Sequence, residues 1–168
     1  FGDLIDYFGG RKDLEEGYIR ILYNLSFVED PTRILRAIRF EQRYQFQMET
    51  DTIRFARDAI ERHLLGKLSY KRILTELILI LNEKDPGPAL DRLKEIGVWQ
   101  YVLPEVQLEH LNRVTLKRIP VVSAWVQERY FPVTIKAWLV YITVLLARMS
   151  EDKVTGIIER YHFDAYAA

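Results

Sequence analysis

Residues Glu29-Asp30-Pro31-Thr32-Arg33-Ile34-Leu35-Arg36-Ala37-Ile38-Arg39-Phe40 open the way a helix opens and then divide into two unlike faces. Asp30 offers an N-cap, and Pro31 sits at the first helical position, where a missing N–H costs nothing. Ile34, Leu35 and Ile38 supply an apolar face. At about 100° per residue, Arg33, Arg36, Arg39 and Arg43 fall inside roughly a 120° arc away from it. Guanidiniums one turn apart repel unless something anionic lies over them, and a triphosphate or an RNA backbone would serve. A plainer reading is a solvated arginine face partnered by Glu29, Glu41 and acids of a neighbouring helix, because charge runs are usually surface. Asp30 and Arg33, one turn apart, also pair a carboxylate acceptor with a guanidinium donor, the complement of a base edge that carries one donor and one acceptor. On residue type alone the capping role of Asp30 carries more weight.

Outward from this helix the punctuation stays helical. A helix is expected from Thr50 or Asp51, with Ile53, Ala56, Ile60 and Leu64 on one side and a stop at Gly66. Ser69 is expected to cap the next, whose stripe is Ile73, Leu77, Ile80 and Leu81. Asp85-Pro86 starts another that ends at Gly97. Pro104, Pro120 and Pro132 punctuate the remainder, with helices expected over 121–130, 133–149 and from 150 or 151 to about 162. Toward the N-terminus, Phe1 to Phe8 alternates loosely like the end of a strand and breaks at Gly9-Gly10. A composition shift near Asp85, beyond which all three tryptophans and most prolines lie, marks a candidate domain boundary.

Over its 168 residues the chain balances 24 basic against 24 acidic side chains, so a global field toward polyanions is absent and any nucleotide site rests on local placement of arginines. It has no cysteine, which excludes disulfides, thiolate metal sites and cysteine nucleophiles, and His63, His110 and His162 are too far apart for a helical ligand pair. Metal is therefore not expected on this chain. The apolar run 137–147 is about half of the ~20 residues a bilayer-spanning helix needs and reads as a buried core helix. No secretion leader is present, so the cytoplasm is the default and no membrane partner is expected. A start at Phe1 without methionine is expected of a piece of a larger protein.

The run Glu29 to Phe40 resembles the E-D-x-x-R-x-x-R motif of the class II tRNA nucleotidyltransferase and bacterial poly(A) polymerase family, which includes the CCA-adding enzymes. Asp6-Tyr7-Phe8-Gly9-Gly10-Arg11-Lys12-Asp13-Leu14 is similar to the family's D-P-F-G-G-x-x-D-L segment, with Tyr7 in place of proline. Ser69 to Leu77 resembles its S-x-x-R-I-x-x-E-L helix, and Gly97 to Glu105 its G-x-x-x-x-x-L-P-E turn. These motifs stand in family order across the first part of the chain and fade from His110 on.

The resemblance implies an all-α fold, a helical neck and a helical body, preceded by a short residual strand and Gly-Gly turn from a catalytic head. It places the end of the head and its junction at 1–20, the neck with its base-recognition helix at 21–84, and a truncated body at 85–168. The implied function is template-independent addition of C and/or A to the tRNA 3′ end, with ATP and/or CTP as substrates, and the tRNA 3′ end and the chain's own catalytic head as partners. Mg2+ would sit on paired carboxylates of that head, leaving this fragment without catalytic residues and inactive by itself. Carried over by motif, Asp30 and Arg33 read the base, and Arg36 and Arg39 lie along the phosphates or brace the pocket; Glu29 and Arg43 are lesser candidates. Arg72 and Glu76, at i and i+4, are expected to pair or to buttress, and Gly9-Gly10 to form a tight bend. Trp99, Trp125 and Trp138 are expected in the core more than on RNA, and Lys117, Arg118 and Arg129 are candidates for tRNA contact that ordinary surface charge explains equally well. Two other classes fit the same residues: a helical RNA-binding module without catalysis, and a protein-interaction scaffold whose arginine face docks an acidic partner.

Overall fold

The computed structural model describes residue 2 and residues 5–108, 113–130, 132 and 134–163. Phe1, Asp3 and Leu4 of the expected strand, Val133 at an expected helix start, and His110 lie outside the described residues. The chain is built from helices, as expected, and forms two compact units, residues 1–67 and 68–168. The break between units falls upstream of the composition shift at Asp85, because helix α5 (Tyr70–Leu81) packs against later helices of its own unit.

In the first unit, Gly9-Gly10 does make the bend, but no strand precedes it over 5–8; the chain enters helix α1 (Gly10–Glu16) directly. Asp6 explains why: its carboxylate accepts the amides of Phe8, Gly10 and Arg11 at 3.3, 3.0 and 2.8 Å, which curls the segment into a cap. Strand β1 (Tyr18–Ile19) follows and pairs in parallel with β2 (Gln47–Met48), Tyr18 opposite Gln47 and Ile19 opposite Met48. Between them lie the short helix α2 (Ser26–Glu29) and helix α3 (Thr32–Tyr44). Glu41 at the end of α3, itself buried, accepts the Met48 amide at 2.9 Å and so ties helix to strand. Helix α4 (Thr50–Glu61) is capped by Glu49, whose carboxylate accepts the amides of Asp51 and Thr52. It stops five residues before Gly66: His63 takes a left-handed conformation at φ 55°, and a 3-10 turn over Leu64–Lys67 completes the unit. Ile34, Leu35 and Ile38 are buried as their spacing requires, together with Phe27, Ala56 and Leu65. Each buried aliphatic side chain of this size contributes about 1.5–3 kcal/mol.

In the second unit, α5 buries Ile73, Leu74, Leu77, Ile80 and Leu81 against α7 (Trp99–Val102), α9 (Ala137–Leu146) and α10 (Glu151–Tyr161). Helix α6 (Gly87–Ile96) starts at Asp85-Pro86 and ends at Gly97 as expected. Helix α8 (Arg113–Arg129) does not wait for Pro120 but runs through it, burying Leu116 and Ile119. Burial of those two side chains offsets the hydrogen bond that proline removes. Tyr161 is buried and donates its hydroxyl to the Val102 carbonyl, and burial raises its phenol pKa. Beside it Arg160 donates to the Glu105 carboxylate.

Candidate functional site

Asp30 has an extended backbone at φ −140° and ψ 90°, while Pro31 is already helical. Its Oδ1 accepts the Thr32 amide at 3.1 Å and the Thr32 hydroxyl at 2.5 Å, and its carbonyl accepts the Arg33 amide at 3.1 Å. Asp30 is thus the functional N-cap of α3. The second Asp-Pro helix start provides an internal control: Asp85 Oδ1 accepts the Gly87 amide at 3.1 Å in the same way. What distinguishes Asp30 is the neighbour of its other oxygen. Arg33 Nε lies 4.0 Å from Asp30 Oδ2, with the two side chains 40% and 24% exposed, whereas the position equivalent to Arg33 after Asp85 is Pro88. A cap alone needs no guanidinium there.

The Arg33 guanidinium is held on one side by residues that periodicity does not point to. Its Nη1 donates to Ser26 Oγ at 2.9 Å and lies 3.4 Å from both the Ser26 carbonyl oxygen and the Tyr23 hydroxyl. Tyr23 in turn donates its hydroxyl to Glu29, so the first motif residue sits at the edge of this cluster through a tyrosine. No spacing rule links Ser26 or Tyr23 to Arg33, because they precede the helix and reach it only through the turn at Asp30. The arginines expected to share one face are separated by the fold. Arg36 is exposed; Arg39 is 9% exposed with its guanidinium carbon 4.4 Å from the centre of the Phe40 ring; Arg43 is exposed beside Tyr44. Arg39 is therefore buried along the helix, whereas Arg36 lies at its surface.

Elsewhere, Arg72 is exposed and Glu76 half-buried on α5. Trp99 and Trp138 are buried, Trp99 donating its indole N–H to the Val106 carbonyl at 2.8 Å. Trp125 departs from the core expectation: it is exposed on α8, packed edge-on against Tyr130. Lys117, Arg118 and Arg129 are exposed on the same helix. Among the described residues no three His, Asp or Glu side chains converge to hold a metal ion, and Asp6 and Asp13 are engaged by amides and by Arg20 instead. Among the described residues the donor set therefore does not fit a magnesium pair. Among the described residues no helix is long and apolar enough to cross a membrane.

Residues 45–109 match a family described as the probable RNA and SrmB-binding site of polymerase A. An A-adding tRNA nucleotidyltransferase of Geobacter sulfurreducens is 39% identical over 95% of this chain and 18% of its own length. A multifunctional CCA protein of Neisseria gonorrhoeae is 42% identical over 62% of this chain and 25% of its own length. Among solved structures, a CCA-adding enzyme with ATP superposes with a TM-score of 0.80 at 35% identity, covering 94% of this chain and 37% of that one. The Thermotoga maritima CCA-adding enzyme complexed with tRNA superposes with a TM-score of 0.78 at 35% identity, covering 94% of this chain and 38% of that one. The chain spans about a fifth to a quarter of the length of these two curated relatives.

Proposed function

The chain belongs to the class II tRNA nucleotidyltransferase and bacterial poly(A) polymerase family, and from that premise we propose that it is the neck and part of the body of an enzyme adding C and/or A to tRNA 3′ ends in the cytoplasm. Within that enzyme this segment selects the incoming nucleotide and holds RNA. One observation carries the selecting role: of the two Asp-Pro caps, only Asp30 turns its second oxygen toward a partly exposed guanidinium, that of Arg33.

Adenine and cytosine each show an exocyclic amine beside a ring-nitrogen acceptor on the Watson–Crick edge. An ionised Asp30 accepts from the amine while Arg33 donates to the ring nitrogen, so one pair reads both bases. Uracil and guanine bring a carbonyl oxygen to the carboxylate, with no hydrogen between them. Polar groups left unpaired in that way support large discrimination. Arg36 lies along the nucleotide phosphates, and Arg39 braces the helix behind it. The magnesium-dependent transfer belongs to a catalytic head outside these residues, and no described side chain of this chain is assigned to it.

The test is nucleotide incorporation by the full-length enzyme on tRNAs ending before the first C, after one C and after two. Asp30→Ala is expected to remove a cap at a cost of roughly 1 kcal/mol and to admit UTP or GTP. A folded Asp30→Ala enzyme that keeps the wild-type preference for CTP and ATP would overturn the base-reading role. The second reading, a helical RNA-binding module without catalysis, draws on the RNA-binding family matched by residues 45–109.

A further inference from the structure

A base-reading arginine is useful only if its guanidinium points one way. An arginine side chain has four soft torsions, and fixing them at the moment of binding costs conformational entropy that subtracts from affinity and from discrimination. Arg33 is restrained before any ligand arrives. Its Nη1 is directed at Ser26 Oγ, 2.9 Å away, and its Nε faces Asp30 Oδ2 at 4.0 Å. Nη2 makes no hydrogen bond to any described residue.

The anchor itself is firm. Ser26 is 5% exposed, and the next residue, Phe27, is 1% exposed. Helix α2, which carries both, packs on α3 and α4. The hydroxyl that holds Nη1 is therefore fixed by core packing rather than by a mobile loop. Tyr23, 41% exposed, stands on the solvent side of the same nitrogen and is tethered to Glu29.

We propose that Ser26, assisted by Tyr23, is a positioning residue that locks the Arg33 guanidinium along its Nη1 edge and leaves Nη2 as the donor to the nucleobase ring nitrogen. The proposal rests on the reading of Arg33 as a base donor and adds to it the atom that reads and the residue that aims it. A serine serving only to stabilise α2 would change the melting temperature and leave nucleotide choice alone. A serine that aims Arg33 changes nucleotide choice at little cost to the fold.

The measurement is the ratio of kcat/KM for CTP to that for UTP in the full-length enzyme, on tRNA lacking CCA, with thermal melts alongside. Ser26→Ala is expected to lower the ratio about tenfold, as loss of a hydrogen bond to a charged group implies, mainly through a higher KM for CTP. Ser26→Thr, which keeps the hydroxyl, is expected to restore it to within about threefold. Arg33→Ala separates the two levels of the argument. If Arg33→Ala lowers the ratio and a folded Ser26→Ala does not, the positioning role is wrong and the base-reading role survives. If Arg33→Ala leaves the ratio unchanged, the underlying reading fails and the positioning role with it. Should Ser26→Ala not fold, Tyr23→Phe on the exposed side decides: a fall of about threefold supports the proposal, and an unchanged ratio overturns it.

Discussion

Asp6 and Asp30 show how one side-chain type is put to different uses by its neighbours. Asp6 accepts three backbone amides, of which that of Arg11 acts most strongly, and these hold its carboxyl below the ordinary value of 3.8. A pKa depressed in the folded state means that the stabilisation is complete above the unfolded value and is lost as pH falls through the lower, folded one. The amides of Gly10 and Arg11 are therefore expected to keep their protection from hydrogen exchange down to about pH 4 and to lose it below, with Asp6→Asn flattening the profile. Protection at those amides that did not change between neutral pH and about pH 2 would remove the cap from the account. At Asp30 the local chemistry of the cap was legible from Asp-Pro alone, and the motif pointed to Arg33. Ser26 was not legible, because a seven-residue spacing shares a face only along a continuous helix, and the chain leaves helical geometry at Asp30 between Ser26 and Arg33.

Among the elements, helix boundaries followed local rules where the signal was chemical and strayed where it was only a pattern. Helix α6 ends on Gly97 at φ 90°, with the Val98 amide donating to the Leu93 carbonyl at 2.8 Å and the Gly97 amide to the Lys94 carbonyl at 2.9 Å. Leu93 and Val98, on either side of that turn, are both fully buried. This double bond pattern requires a left-handed residue at the turn. Gly97→Ala is expected to destabilise the protein by roughly 1–2 kcal/mol in chemical denaturation, since an L side chain is strained there. A loss smaller than a few tenths would mean that the turn relaxes. By contrast, Gly66 suggested the end of α4, but His63 turned left-handed first. Pro120 suggested a start, but α8 runs through it on the burial of Leu116 and Ile119. At Pro120 packing outweighed the residue's intrinsic preference.

For the whole molecule, the balance of 24 basic and 24 acidic side chains means that the RNA binding proposed for it has to come from few, well-placed phosphate contacts. Binding of ATP or tRNA is expected to weaken as salt is raised, and Arg36→Ala is expected to weaken ATP binding further, since it removes a contact to the nucleotide phosphates. Titration with labelled ATP and labelled tRNA at several salt concentrations measures both effects. If neither ligand binds, or if binding ignores both salt and Arg36, the arginine helix serves a protein partner instead.

Local chemistry written along the chain sufficed for the all-α class, the Asp-Pro and Gly97 helix limits, the apolar stripes of α3 and α5, and the four family motifs, one of which sets Asp30 beside Arg33. Each of these acts within a turn or two of itself, so the order of residues contains it. The parallel pairing of β1 with β2, the Tyr161 bond to Val102, the burial of Arg39 and the Ser26 anchor of Arg33 were settled only by tertiary folding. Those contacts join separate elements, and their geometry depends on how the intervening chain packs, which no residue spacing encodes.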